Sequence, residues 1–196
     1  MDQEVFLMDV NEAIKSRRTV REFKDTHVPD DIILEILETV KWSPSPVNSQ
    51  PWKFIIIRNK DTLKKLKAYA KYGGHLLEAP MAIAVVVTHI EGFHWYNEIQ
   101  ENKYAGAVVA ANLMLAAWEK GIGTGWVSIE RDKVNTILQI PEGNTVIAIM
   151  PIGYPVHVEP HAEDDRKPLD WMVFAEQYGE RFPRLAESKV KEKWKK

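Results

Sequence analysis

Three arginines lie within five residues near the start of the chain, at positions 17, 18 and 21. A guanidinium group keeps its charge and donates paired hydrogen bonds, which suits a phosphate or another anion. In an extended segment Thr19 and Arg21 share one side, while Arg18 and Val20 take the other. Thr19 and Arg21 could therefore reach one ligand, and Arg17, at the end of the helix, could reach the far part of that ligand. Taken alone, such a cluster is more typical of a solvated charged turn.

A polar loop, Ser43–Trp52, is the second group of residues that could bind a ligand. Its prolines fix φ and remove backbone donors, and its serines and asparagine favour local side-chain to backbone hydrogen bonds. It follows a helical pattern and leads into the strand-like run Trp52–Ile57. A stiff loop dense in neutral donors and acceptors can recognise a flat, heteroatom-rich ring. An ordinary helix-to-strand connector has the same composition.

Together the two segments resemble the nitroreductase family of flavin enzymes. Four further segments match the family's motifs, in the same order along the chain. They are Glu78-Ala79-Pro80, the glycine-rich Gly121–Gly125 after a long alanine-rich helix, Gly153-Tyr154-Pro155 and Arg166-Lys167-Pro168. Each short motif is weak evidence by itself, but the ordered series spans residues 8–178 and is strong evidence. The resemblance implies FMN as the cofactor. It also implies an α+β fold, with a mixed, mainly antiparallel central sheet flanked by helices.

The resemblance assigns roles to the charged residues. It places Arg17 at the FMN phosphate, assisted by Arg166 or Lys167, and it counts Arg18 and Thr19 among the cofactor contacts. It places Arg21 beside the N1 and O2 edge of the ring, where a fixed positive charge tunes the cofactor by stabilising its reduced form. No side chain is expected to act as a nucleophile, because the flavin supplies the chemistry.

The resemblance also assigns a role to the polar loop. In the family this loop reaches the flavin of the other subunit, so it implies an intertwined homodimer with two identical sites. The loop residues expected at the cofactor are Pro44, Ser45, Pro46, Asn48 and Gln50. A backbone donor to the flavin N5 atom is expected from the segment Val127, Ser128 and Ile129. Pro46 departs from the family's usual small residue and has no N–H to donate.

The implied activity is the transfer of two electrons from NAD(P)H to a small planar acceptor, such as a nitroaromatic compound or a quinone, by a ping-pong mechanism. A lid containing Phe93, Trp95 and Tyr96 is expected over the substrate, since aromatic rings stack on planar guests; a small hydrophobic cluster is the alternative. Other flavin reactions on the same scaffold (dehalogenation, flavin breakdown or dehydrogenation) and a non-enzymatic FMN-binding protein are alternative functions.

Composition narrows the class of protein. The chain has 196 residues, a net charge of −2 and no cysteine, which predicts one domain over residues 1–196 and excludes disulfides and thiolate metal sites. The near-neutral net charge argues against nucleic-acid binding, and the apolar runs are too short to span a membrane. The six histidines lack the spacing of a metal site. We expect a cytoplasmic protein with a flexible tail over residues 186–196.

Hydrophobic periodicity predicts the elements that position these residues. Helices are expected at Val10–Ser16, Asp30–Trp42, Asp61–Tyr69, Tyr104–Lys120 and Arg131–Leu138. Strands are expected at Phe54–Arg58, Met81–Thr88, Gly125–Ser128 and Val146–Gly153. The run Ala82–Val87 is apolar on both faces, which indicates a central strand covered on both sides. The long helix is apolar nearly all round, so we expect it in a core or at a subunit interface.

Overall fold

The computed structural model describes residues 8–88, 101–161 and 166–188. The chain divides into two compact units, Met1–Glu159 and Pro160–Lys196, and each is described by itself. The single domain expected over residues 1–196 therefore stays a prediction. The lid residues fall outside the described ranges, as does most of the tail.

The helices of the first unit are α1 (Val10–Ser16), α2 (Asp30–Val40), α3 (Lys60–Lys67), α4 (His75–Glu78), α5 (Glu101–Glu119) and α6 (Arg131–Ile137). The bounds of α1 are those that the sequence predicts, because Asp9 caps it: the Glu12 N–H donates to Asp9 Oδ1 at 2.8 Å. Helix α4 has no counterpart among the predicted helices. Gly121 follows α5 with a φ of 70°, the left-handed conformation that closes a helix.

The strands are β1 (Trp52–Ile57), β2 (Ala70–Lys71), β3 (Met81–Thr88), β4 (Gly123–Thr124), β5 (Ser128–Ile129) and β6 (Asn144–Gly153). Four of them form an antiparallel sheet in the order β1-β3-β6-β4, while β2 pairs with β5. The expected α+β fold with a mainly antiparallel sheet is confirmed. The strand predicted at Gly125–Ser128 is wrong in its bounds, because β4 ends before it and β5 begins at its last residue.

Side chains of β3 alternate between two cores, as a pleated strand requires. Met81, Ile83, Val85 and Val87 join a core with α2 and α5, whereas Ala82, Ala84 and Val86 join a core with α3, α4 and α6. The sheet therefore has helices on both faces, and β3 is the covered central strand that its composition predicts.

Helix α5 has apolar residues on its exposed side as well as its buried side. Val109 and Leu113 are fully buried against the sheet. Four residues on the opposite side are exposed at the spacing i, i+3, i+4 and i+7, and we call them the α5 stripe: Tyr104, Ala107, Val108 and Ala111. Val10 and Ile14 of α1 are also exposed. Among the described residues, no helix is long and apolar enough to cross a membrane.

The second unit contains a single turn of 3-10 helix, Leu169–Trp171. Its Asp170 accepts a hydrogen bond at Oδ2 from the Ser188 N–H, at 2.9 Å. The rings of Phe174 and Tyr178 pack with their centroids 4.8 Å apart.

Candidate functional site

The arginine segment runs from the end of α1 along the sheet edge. The Arg17 N–H closes α1 by donating to the Ala13 oxygen at 3.1 Å, and the Val20 N–H donates to the Thr124 oxygen at 2.9 Å. Val20 is buried, whereas Thr19 and Arg21 are exposed. The alternation predicted from the sequence is therefore present, with Thr19 and Arg21 on the open side.

Glycine at position 123 permits the close approach of this segment to β4. A Cβ atom there would lie 2.5 Å from Cγ2 of Val20, well inside contact distance. A larger residue would push the arginine segment outward, so Gly123 helps to fix the position of Thr19 and Arg21.

Arg18 is engaged at the end of α1. Its guanidinium donates to the backbone oxygens of Lys15, Ser16 and Arg17 at 3.0, 2.5 and 2.9 Å, and to the Glu159 oxygen at 2.8 Å. These are the carbonyls that a helix end leaves unpaired, and a cation there also favours the helix dipole. The structure thus gives Arg18 a capping function, and the predicted contact with a cofactor remains a prediction.

A cavity of about 640 Å³ opens beside Arg21. Its lining combines a guanidinium group, two carboxylates, an imidazole and two further aromatic rings: Arg21, Glu22, Phe23, Tyr72, Gly74, His75, Glu78 and Val156. Tyr72 has a φ of 60° and is 86% exposed. A left-handed conformation at a large aromatic residue is uncommon and concentrates at ligand sites. The sequence analysis did not single out Tyr72 or His75.

His75 places an imidazole in this cavity next to the arginine segment. Its Nε2 atom is buried without a hydrogen-bond partner, and a Cβ atom on Gly125 would lie 3.0 Å from it. Burial lowers the pKa of His75 below its usual value of 6.5, and the charge of Arg21 lowers it further, while the Tyr72 backbone acts in the opposite direction. His75 is therefore held neutral near pH 7.

The polar loop is a strained turn whose polar groups bond to one another. The Gln50 N–H donates to Ser45 Oγ at 2.9 Å, and Gln50 Nε2 donates to the backbone oxygen and Oδ1 of Asn48, both at 3.2 Å. Val47, Asn48 and Gln50 have φ values of 48°, 57° and 47°. Such values are rare for a β-branched valine. Strain of this kind persists only where surrounding contacts enforce it, which is common at binding loops.

The predicted loop residues Pro44, Ser45, Pro46, Asn48 and Gln50 are absent from the lining of the Arg21 cavity. Within the described part of one subunit, the structure therefore does not bring the loop and Arg21 into one pocket. The loop begins at Ser43, whose Oγ accepts from Asn112 Nδ2 of α5 at 2.8 Å. Helix α5 thus fixes the start of the loop.

The segment predicted to supply a donor to a flavin N5 atom is held in the sheet. Val127 is buried, and its N–H donates to the Ile149 oxygen at 3.0 Å, so this amide has its partner within the chain. Ser128 and Ile129 pair with Lys71 and Ala70 of β2. Val127 consequently contributes to the core, and a donor from this segment remains a prediction.

Two further groups of predicted residues lie outside the described part of the first unit. Arg166 and Lys167 belong to the second unit, where Arg166 Nη2 lies 3.1 Å from His161 Nε2. The lid residues Phe93, Trp95 and Tyr96 lie outside the described residues. Within the described ranges, no three acidic or histidine side chains are grouped so that they could hold a metal ion.

Comparison with known proteins identifies the family. The sequence profile described as "Nitroreductase family" matches residues 14–85 and 69–154. A protein of Methanothermobacter thermautotrophicus, provisionally named NADH dehydrogenase/NAD(P)H nitroreductase, is 35% identical over 164 residues, which cover 79% of this chain and 82% of that one. Human iodotyrosine deiodinase 1 is 23% identical over 201 residues, covering 83% of this chain and 66% of that protein.

The solved structures show the same fold. An FMN-dependent nitroreductase from Clostridium difficile R20291 superimposes with a TM-score of 0.72 at 24% identity, covering 85% of this chain and 98% of that one. The sequence profile covers the arginine segment, the polar loop and the sheet, and the archaeal relative matches 79% of the chain. The chain therefore belongs to the nitroreductase family, a family of flavin-binding oxidoreductases that also includes iodotyrosine deiodinases.

Proposed function

We propose that this protein is an FMN-dependent oxidoreductase that passes two electrons from NAD(P)H to a small planar acceptor by a ping-pong mechanism. The observation that carries the proposal is the open side of the arginine segment, where Thr19 and Arg21 are both exposed and Arg21 lines a cavity. When bound, FMN would supply the electron-transfer chemistry, and the protein would bind it, orient it and stabilise its charge.

The residues present fit this cofactor. Arg17 and Arg21 offer charged donors at two ends of one short segment, and Thr19 lies between them on the same side as Arg21. FMN carries an anionic phosphate at one end and a ring that gains negative charge at the other. We assign Arg17 to the phosphate and Arg21 to the N1 and O2 edge of the ring.

We further propose that the site is completed in a homodimer, by the Ser45–Gln50 loop of a second subunit. Two observations support this assembly. The loop does not line the Arg21 cavity of its own subunit, and the exposed α5 stripe gives an apolar surface to bury. Val10 and Trp42, which are 71% and 82% exposed, line a cavity with Asn112 and Leu115 of the same helix and add exposed apolar area.

The first test is spectroscopic. The purified protein should be yellow, should release FMN on denaturation, and should bleach when NADH or NADPH is added without oxygen. A protein that stays colourless after incubation with FMN would overturn the proposal. The bleached protein is then mixed separately with nitroaromatic compounds, quinones and halogenated tyrosines. The compounds that reoxidise it distinguish the proposed acceptors from a dehalogenase substrate.

The second test concerns the shared site. Arg17→Ala and Asn48→Ala each remove one half of the proposed contact set, and both variants should bind FMN weakly. In a mixed dimer, one of the two sites takes its arginine and its loop from intact sequences. That site should recover FMN and NAD(P)H oxidation. Verified mixed dimers without recovered activity would show that each site is built within a single chain.

A further inference from the structure

One buried polar atom at the Arg21 cavity has no partner. Nε2 of His75 is enclosed and makes no hydrogen bond, although an imidazole nitrogen is a strong hydrogen-bonding group. Buried groups of this kind are rare in folded proteins and call for a structural or chemical explanation. The shape of the neighbouring backbone contributes to the burial, because Gly125 lacks the Cβ atom that would lie 3.0 Å from Nε2.

The charges around His75 are unequal. Arg21 lines the same cavity, and its positive charge adds to the effect of burial in disfavouring protonation of His75. Glu22 and Glu78 line the cavity as well. From helix α3, Lys60 donates to the Ala79 oxygen at 3.1 Å, at the end of α4. Strand β6, which also contacts α4, has no ionisable side chain.

An anion in the cavity would change this balance. A negative charge held by Arg21 offsets the positive charge that His75 experiences, and this offset favours the protonated imidazole. Binding of an anion at Arg21 and binding of a proton at His75 are therefore coupled and reinforce each other.

We propose that His75 is the proton-accepting partner of Arg21, and that its imidazole takes up one proton from solvent when negative charge is held at Arg21. In this step a solvent proton bonds to a ring nitrogen, no electron moves to or from the histidine, and the ring charge changes from zero to plus one. The inference rests on the proposed function, in which the charge is that of the reduced FMN ring. His75 then compensates the charge that reduction adds.

Two consequences follow from the coupling. The cavity should hold reduced FMN more tightly as the pH falls, because protonation of His75 adds a positive charge beside Arg21. Reduction of the bound cofactor should also take up one more proton in the wild-type protein than in His75→Gln, since glutamine keeps polar atoms but does not titrate.

The experiment is a pH titration of the histidine resonances by NMR. His75→Gln identifies the His75 signal, and the titration is recorded for wild-type protein without FMN, with oxidised FMN, and with FMN reduced by dithionite. The His75 midpoint should lie at a higher pH in the reduced complex than in the oxidised one. In protein without FMN, Arg21→Gln should raise the midpoint, whereas Arg131→Gln, an exposed arginine outside the cavity, should leave it unchanged.

The outcomes are separable. A protein that binds FMN and is reduced, but whose His75 midpoint is the same in both redox states, overturns this inference and leaves the proposed function standing. A midpoint unchanged by Arg21→Gln also overturns it, because the coupling to Arg21 is then absent. Failure to bind FMN at all, seen as a colourless protein, overturns both.

Discussion

At the scale of single residues, Arg17 is the group on which cofactor affinity should depend most. Losing one charge-assisted hydrogen bond costs about 1.5–3 kcal/mol, which corresponds to roughly a ten- to hundredfold loss of affinity. Arg17→Ala should therefore weaken FMN binding by that factor in a fluorescence titration. Arg131→Ala, at the exposed start of α6, is the matched control and should bind as the wild type does. Equal affinity of the two variants would place the phosphate elsewhere.

His75 also makes the stability of the fold depend on pH. Its pKa is lowered in the folded state, so below pH 6.5 the unfolded chain binds more protons at this residue than the folded chain does. The contribution of His75 to stability is complete above pH 6.5 and is lost progressively as the pH falls toward the lowered value. Urea unfolding at pH 7.5 and at pH 5.5 should therefore show a larger loss for wild type than for His75→Gln. Parallel losses in the two proteins would contradict the assignment.

The importance of His75 could not be predicted from the sequence, for a physical reason. It is one of six histidines, it follows two glycines, and it begins a helix of four residues that has too few positions to show periodicity. Its significance arises from the cavity that it shares with Arg21, a residue distant in sequence, which local patterns do not encode. Arg21 and Thr19 were accessible to sequence reasoning because alternation along an extended segment fixes which side each takes.

At the scale of elements, α5 anchors both candidate motifs by one hydrogen bond each. Trp118 Nε1 donates to Ser16 Oγ at 2.8 Å, immediately before the arginine segment, and Asn112 donates to Ser43 at the start of the polar loop. The helix thus connects two regions that are separate in sequence. This arrangement explains why a helix with a strongly apolar surface retains an asparagine and an indole N–H in half-buried positions.

Trp118→Phe tests the first of these anchors. The substitution keeps an aromatic ring and removes the donor to Ser16, so stability should fall by about 0.5–1.5 kcal/mol, the usual net value of one hydrogen bond. FMN affinity should fall as well, because the end of α1 is less firmly held. Ser16→Ala removes the same bond from the other side, and the double variant should be little worse than either single one in urea unfolding. Additive losses would show that the bond is not the shared cause.

The elements themselves were predicted with unequal success. The bounds of α1 and β3 agree with the structure, because a capping aspartate and a continuous apolar run are local signals. The segment Gly125–Ser128 was assigned to one strand, whereas its amides divide between partners: the Gly125 N–H donates to Pro151 and the Val127 N–H to Ile149 of β6, and Ser128 pairs with β2. Which distant strand a residue meets cannot be read from its neighbours in sequence.

At the scale of the whole molecule, the two groups of predicted cofactor-binding residues do not share a cavity within the described part of the chain. Arg21 lines a cavity to which the polar loop does not contribute. In the proposed homodimer, the arginine segment of one chain would meet the polar loop of the other at each of two equivalent sites. A homodimer would also cover the α5 stripe, which otherwise leaves Tyr104 60% and Val108 38% exposed.

Val108→Glu tests this assembly directly. A carboxylate buried at a subunit interface without a partner is costly, so the variant should be monomeric at concentrations where the wild type is dimeric. Because the proposed site needs both subunits, the monomer should also lose FMN while keeping its far-ultraviolet circular dichroism spectrum. Leu34→Glu makes the same change at an exposed apolar position of α2 and serves as the control, expected to stay dimeric and yellow.

Sedimentation velocity with absorbance detection at a flavin wavelength measures the mass of the particle and the bound cofactor in one experiment. A Val108→Glu protein that sediments as a monomer and still carries FMN would show that the loop of the second subunit is dispensable, and the shared-site proposal would then be wrong.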